Sequence, residues 1–321
     1  MIFPWQATQW ETLSRMHSEK RMPHALLFAG PLGVGKREIA KALAQRVLCE
    51  KNTINITDIS CGNCHACHLI AAESHPDLHI VQPEQEGQAI KIDQIRQLAE
   101  FIQNTSHQGG YRVVIIQPAT AMNAYAANAL LKTLEEPSPN TLLILVNDQR
   151  IPLPITIVSR CQQIRFAIPE TELALSWLQH QDSSVNWSAI LEATQGAPLL
   201  ALEWQNQGVW PQYQNFMQDL FALSQHSADP MELAIQWKEA NILWVFDMFF
   251  QWLLKLMQVQ QVRKSETLSL HDIAENIPTS NLLAFASYLQ RLRIDALGPY
   301  NLNQQLLLET LFIRWAQYVS S

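Results

Sequence analysis

The sequence has little charge. Lys, Arg, Asp and Glu make up 16% of its 321 residues, against roughly a quarter in an average soluble protein. It also lacks a basic excess, with 22 Lys and Arg against 29 Asp and Glu and a net charge of −7. This argues against a protein that coats nucleic acid, since such binding rests on many cation–phosphate contacts. It leaves room for a small local basic site. The N-terminus, Met1-Ile-Phe-Pro-Trp-Gln6, has neither a basic n-region nor a long apolar run, so no export signal is expected. Cysteine is sparse and odd in number, five in all. A reducing cytoplasm is therefore expected and a disulfide framework is not. An uninterrupted apolar run of membrane length is missing too. The most apolar stretch, 242–257, carries Asp247, Gln251 and Lys255 at four-residue intervals, which makes one polar stripe on a helix. It is also short for a lipid span, so a nearly buried helix of a helical domain is expected and no membrane.

What is present is an apolar content of 48% and a length suited to two or three domains. The first half alternates short apolar runs with helical patterns. Runs at 25–29, 78–81, 112–116, 142–146 and 163–166 read as strands. The third is set off by Gly109-Gly110. Helical patterns follow residue 36, cover Ile92 to Ile102, and run from Met122 to Glu136, stopped by Pro137. Strands alternating with helices predict a parallel sheet with helices on both faces. After Phe166 the strand signals end. Pro169 and Glu170 are placed to open a helix, three short helices fit up to about 206 with a break at Gly196-Ala197-Pro198, and long helices rich in Trp, Leu and Phe follow from Val209.

Residues 30–37 read Gly-Pro-Leu-Gly-Val-Gly-Lys-Arg. Gly30, Gly33, Gly35 and Lys36 fit the phosphate-loop pattern G-x-x-x-x-G-K-[ST], placed between a strand and a helix. Glycines let backbone N–H groups curl around a phosphate, and Lys36 is placed to reach terminal phosphates. Arg37 stands where a Ser or Thr hydroxyl should hold Mg²⁺. The strand ending at Ile116 is followed by Gln117 and Pro118, where an ATPase needs carboxylates. Without metal and water positioning, turnover is not expected. A relict loop that keeps the fold or holds nucleotide weakly is the better reading.

Four cysteines fall together, Cys49, Cys61, Cys64 and Cys67. Two overlapping C-x-x-C pairs and one upstream thiol suit a closed tetrahedral S₄ site, and structural Zn²⁺ is the expected occupant. Cys49 is expected at the end of the helix after the phosphate loop, and the others in the loop that follows. Rival readings exist. Cys64-His65 and Cys67-His68 each complete a C-x-x-C-H haem-attachment pattern, which needs export. A redox dithiol leaves two cysteines unexplained, and His65 or His68 can replace a thiol as ligand.

Ser159-Arg160-Cys161 follows the last apolar run of the sheet region and precedes the helical segment. A surface arginine at a domain boundary is the plain reading. An arginine there can also be presented to a neighbouring subunit's nucleotide, since its planar fork binds phosphate bidentately and stays charged.

His24-Ala-Leu-Leu-Phe-Ala-Gly30, the altered phosphate loop, the four cysteines, Asn128-Ala-Leu-Leu-Lys-Thr-Leu-Glu-Glu-Pro137 and Ser159-Arg160-Cys161 occur together. In this set the sequence resembles the delta-prime subunits of bacterial DNA polymerase III clamp loaders, members of the AAA+ superfamily. The match is dense over residues 1–166 and looser afterwards, with Asn301-Leu-Asn-Gln-Gln-Leu-Leu-Leu-Glu309 as the best C-terminal echo. The resemblance implies an α/β AAA+ domain over 1–166 with a zinc module at 49–67, a helical lid over 167–207, and an all-α collar over 208–321 that oligomerises. It implies partners: gamma or tau and delta subunits directly, the beta sliding clamp and primed DNA through the assembly. It implies a chain with no ATPase activity alone, within a DNA-directed DNA polymerase holoenzyme, whose Arg160 completes the ATP site of an adjacent gamma subunit. It matches Cys49, Cys61, Cys64 and Cys67 to the family's zinc ligands. The intact glycines and Lys36, with Asn147 at a polar sensor position, leave nucleotide binding open. The alternatives are an active gamma-type ATPase and a zinc-ribbon nucleic-acid binder. The missing carboxylates oppose the first, and the acidic balance opposes the second.

Overall fold

The computed structural model describes residues 2–51, 55, 58–85, 87–103, 110–148, 152–261, 268–296 and 303–320. Gly109 of the glycine pair, and Asn301 and Leu302 of the C-terminal echo, lie outside the described residues. The chain divides into two compact units, Met1–Glu203 and Trp204–Ser321.

In the first unit, β1 (Ala25–Ala29), β2 (Leu78–Val81), β3 (Arg112–Ile116), β4 (Thr141–Asn147) and β5 (Gln162–Arg165) form one sheet in the order β2-β3-β4-β1-β5. Every pairing is parallel. The helices are α1 (Ala7–Ser18), α2 (Lys36–Leu48), α3 (His65–Ala71), α4 (Ile92–Gln103), α5 (Ala124–Glu135) and the single turn α6 (Ile155–Val158). Successive strand residues face opposite sides. Leu26, Phe28, Val113, Ile115 and Ile144 join Leu13 of α1 and Ile39 and Leu43 of α2 in one core. Leu27, Val114, Ile116, Leu143 and Leu145 join Ile95 and Leu98 of α4 and Leu130 of α5 in the other. A sheet buried on both faces needs continuous rather than alternating apolar strands, and β1, β3 and β4 are buried along their whole lengths.

The helix ends have local causes. Asn123 opens α5, its side chain accepting the Ala126 N–H at 2.9 Å. After the sheet come α7 (Thr171–Gln181), α8 (Trp187–Ala193) and α9 (Pro198–Asn206). The first of these opens later than Pro169 suggested. Glu170 has a non-helical ψ of 138° and stands at the N-cap, its backbone carbonyl accepting the Ala174 N–H at 3.0 Å, so Pro169 lies ahead of the helix.

The second unit holds α10 (Val209–Ser224), α11 (Pro230–Gln236), α12 (Ile242–Gln261), α13 (Leu268–Asn276), α14 (Thr279–Ala296) and α15 (Gln304–Ser320). Its core is aromatic. Phe216, Phe249, Phe285, Phe312 and Trp315 are fully buried, and the Phe285 and Trp315 ring centroids lie 5.1 Å apart. The Trp315 Nε1–H donates to Ser224 Oγ at 2.9 Å, satisfying a buried donor. By length and composition α12 would suffice to cross a bilayer. It buries Val245, Phe246, Phe249, Trp252, Leu253 and Leu256 within this unit. The opposite face is more open than the expected nearly buried helix. Leu254 and Lys255 are exposed, and Asp247 of the polar stripe pairs with Arg293 at 2.9 Å.

Candidate functional site

β1 ends at Ala29, and the loop that follows runs into α2 at Lys36. Gly33 and Gly35 hold φ of +77° and +88°, backbone that L side chains rarely adopt. A Cβ on Gly33 would lie 2.6 Å from Leu200 Cβ, and one on Gly35 would lie 2.6 Å from Gln6 Nε2. These glycines are therefore required by the fold itself, apart from any phosphate. The chain's own N-terminus lies over the loop. Gln6 Nε2 donates to the Val34 and Gly35 carbonyls at 2.9 and 2.8 Å, and Trp5 Nε1 donates to the Val34 carbonyl at 3.0 Å. Phe3 and Trp5 stack with each other and meet Trp177 of α7 edge-on. From α9 the Leu199 N–H donates to the Gly33 carbonyl at 3.0 Å.

Lys36 is 3% exposed. Its Nζ lies 3.3 Å from Asp148 Oδ1 and donates to the Pro31 carbonyl. Burial lowers its pKa, and the Asp148 carboxylate acts in the opposite direction. Arg37 is exposed on the first turn of α2. At the end of β3 the Gln117 N–H donates to the Val81 carbonyl at 2.9 Å. The Gln117 side chain is buried, and its Oε1 accepts no hydrogen bond among the described residues. Asn147 is the last residue of β4, also buried, and its carbonyl accepts the Gly30 N–H at 3.4 Å. The loop, Lys36, Gln117 and Asn147 thus gather at the C-terminal edge of the sheet, where α/β folds place their ligands. Neither Gln117 nor Pro118 supplies a carboxylate there, and Arg37 supplies no hydroxyl.

The four cysteines converge. Cys49 follows α2 as its cap, Cys61 lies in the loop, Cys64 caps α3, and Cys67 sits inside α3. A short helix, rather than loop alone, therefore presents two of the thiols. Its start is fixed by the Cys67 N–H, which donates to Cys64 Sγ at 3.4 Å. All four Sγ atoms lie within 4.8 Å of one another, with Cys49–Cys64 at 4.0 Å and Cys61–Cys67 at 3.9 Å. Zn–S bonds of about 2.3 Å in a tetrahedron require S···S edges of about 3.8 Å, so the donor set fits such an ion. Burial pushes the Cys49 thiol up to about 12. Burial also opposes the Cys64 thiolate, but backbone N–H groups outweigh it and bring that thiol down to about 6. His65 and His68 on α3 are exposed and stand outside the thiol cluster.

Ser159-Arg160-Cys161 follows α6. Arg160 Nη2 lies 2.7 Å from Glu135 Oε1, with the arginine side chain 36% exposed. Its Nη1 donates to the Thr156 carbonyl at 2.9 Å and to Ser159 Oγ at 3.5 Å. Cys161 packs against the core of one sheet face, and burial raises its thiol to about 11.

The parallel sheet, the glycine loop after β1 and the all-helical second unit define a P-loop protein of the AAA+ class. A family model described as DNA polymerase III, delta subunit matches residues 5–170, and one described as DNA polymerase III, delta subunit, C terminal matches residues 207–317. The DNA polymerase III subunit delta' of Pseudomonas aeruginosa is 35% identical, covering 98% of this chain and 97% of that protein. Its counterparts in Haemophilus influenzae and Escherichia coli are 31% and 28% identical, over 96% and 99% of this chain and 94% and 96% of their own lengths. The chain belongs to the delta-prime subunit family of the bacterial DNA polymerase III clamp loader.

Sequence reasoning missed three partners. Asp148 on Lys36 is invisible until β4 is known to lie beside β1. Glu135 on Arg160 lies inside the quoted Leu-Glu-Glu-Pro run, so that motif carried a signal. Gln6 against the phosphate loop is a contact across nearly thirty residues that no local pattern announces.

Proposed function

We propose that this subunit does not hydrolyse ATP and that Arg160 serves as a trans-acting arginine for the ATP site of an adjacent gamma or tau subunit. One observation carries the first half. The C-terminal edge of the sheet offers Arg37, Gln117 and Pro118 where turnover needs a Mg²⁺ ligand and carboxylates. The second half is supported by the partial exposure of Arg160, whose guanidinium is held, among the described residues, by surface groups. A guanidinium entering a neighbour's site stabilises charge that develops on the transferred phosphoryl group. Ser159 and Cys161 hold the turn, the first through its hydroxyl and the second through core packing.

The accompanying parts follow the same reading. Cys49, Cys61, Cys64 and Cys67 hold Zn²⁺ as a structural ion that fixes the loop between α2 and α3. Residues 167–207 act as a lid, and 208–321 as a collar that joins gamma or tau and delta subunits. The assembly acts in the cytoplasm, and through it the chain serves the beta clamp and primed DNA. A gamma-type motor keeps Lys36, the loop glycines and Asn147 in its favour but lacks the Mg²⁺-binding hydroxyl and the carboxylates at the end of β3 that turnover needs.

The test is Arg160→Ala in the loader reconstituted with gamma and delta. At the one site Arg160 serves, the expected loss is on the order of 10³-fold in hydrolysis, with assembly intact by gel filtration. A mutant loader that hydrolyses ATP and loads clamps at the parental rate would remove the role from Arg160.

A further inference from the structure

The phosphate loop has already found an anion inside the chain. A P-loop lysine ordinarily reaches the terminal phosphates of a bound nucleotide. Here its Nζ is 3.3 Å from Asp148 Oδ1, with the two side chains only 3% and 16% exposed. The fold places the carboxylate there. β1 and β4 pair in register with Ala29 opposite Asn147, so the next residue of each strand meets at the mouth of the loop. A buried ammonium without a counter-charge is costly, and Asp148 supplies that charge. The loop is closed from two further sides, by Gln6 and Phe3 against Gly35 and by Leu200 against Gly33.

We infer that Asp148 is an internal stand-in for phosphate, and that the loop beneath it is a latent polyphosphate site which a neutral residue at position 148 would open. This goes beyond the absence of turnover, because a subunit can fail to hydrolyse nucleotide and still bind it. Here one named carboxylate keeps the anion out. Two ligands share the relevant chemistry, a nucleoside triphosphate and free pyrophosphate, and adenosine lacks it.

The experiment uses the full chain as wild type, Asp148→Asn, Asp148→Ser and the double variant Lys36→Met/Asp148→Asn. Each is titrated with ATP, inorganic pyrophosphate and adenosine by calorimetry, and its melting temperature is followed with each ligand. The expected result is that both position-148 variants bind ATP and pyrophosphate about tenfold or more tightly than wild type. Any fall in their melting temperature should be recovered by either ligand, while adenosine has no effect and the double variant loses the gain. Wild type binding ATP as tightly as Asp148→Asn would overturn the inference. So would folded Asp148→Asn and Asp148→Ser chains that bind neither anion. Variants that stay unfolded with ATP and pyrophosphate present would count against it equally, since the ligand is expected to replace the lost charge.

Discussion

Arg160 and Lys36 each lie against a carboxylate, and exposure separates what the two cations can do. The Arg160–Glu135 pair is open to water, its side chains 36% and 50% exposed. Such surface pairs contribute about 0–1 kcal/mol, so Arg160 can exchange Glu135 for a phosphate at little cost. Lys36 is enclosed with Asp148, and separating a buried pair costs several kcal/mol. One cation is available to a partner and the other is not. The cysteines divide in a similar way. Four face one another and Cys161 faces the core. The purified chain is expected to carry one zinc per molecule by elemental analysis. Cys64→Ser should lose that metal and lower the melting temperature, because a thiolate ligand is removed while the serine hydroxyl can still cap α3. Metal retained at full occupancy in that variant would break the four-thiol assignment. Cys161, with its thiol raised to about 11, holds less thiolate at every pH below that value than an ordinary cysteine. Its alkylation at pH 8 should be about a hundredfold slower than that of an unperturbed thiol and should accelerate as pH rises. A rate equal to that of a model thiol would show that the burial is not maintained.

At the scale of elements, strands and helices were legible to different degrees for physical reasons. β1, β3 and β4 are buried on both faces, so their apolar runs are unbroken and each was read to within a residue of its ends. The amphipathic α4 was read from Ile95, Leu98 and Ile102, which all turn to one core. α3 and α6 escaped, being seven and four residues long, too short for a 3.6-residue period to show. Among the helices after Val209, α12 was read by itself from its polar stripe Asp247, Gln251 and Lys255, and the others only as a class, since aromatic residues throughout blur the polar face that would mark their limits. The candidate site followed the same rule. The loop, the cysteines and Arg160 are contiguous motifs and were found, whereas Asp148 and Gln6 reach the loop only through sheet order and chain return. α5 offers a direct check on how its ends and face contribute. Asn123→Ala removes a cap bond and should cost about 1 kcal/mol. Leu130→Ala empties a fully buried position and should cost about 2–5 kcal/mol by denaturant titration. Equal costs would mean that the cap carries more than its hydrogen bond.

At the scale of the whole molecule, a delta-prime family chain combines a parallel sheet and a glycine loop with Arg37, Gln117 and Pro118 at positions where a P-loop ATPase needs a hydroxyl and carboxylates. Gly33 and Gly35 adopt left-handed backbone against close neighbours, so the fold needs them with or without a phosphate, and Lys36 is held by its own counter-ion. The low charge of the sequence fits a subunit of a protein assembly. The measurement that tests the proposed role most directly is ATP hydrolysis by the purified chain, alone and after mixing with gamma and delta. The predicted result is no Mg²⁺-dependent turnover by the chain alone, unchanged in Lys36→Ala, and a rise in turnover when the chain joins gamma and delta. Mg²⁺-dependent hydrolysis by the isolated chain that Lys36→Ala abolishes would contradict it.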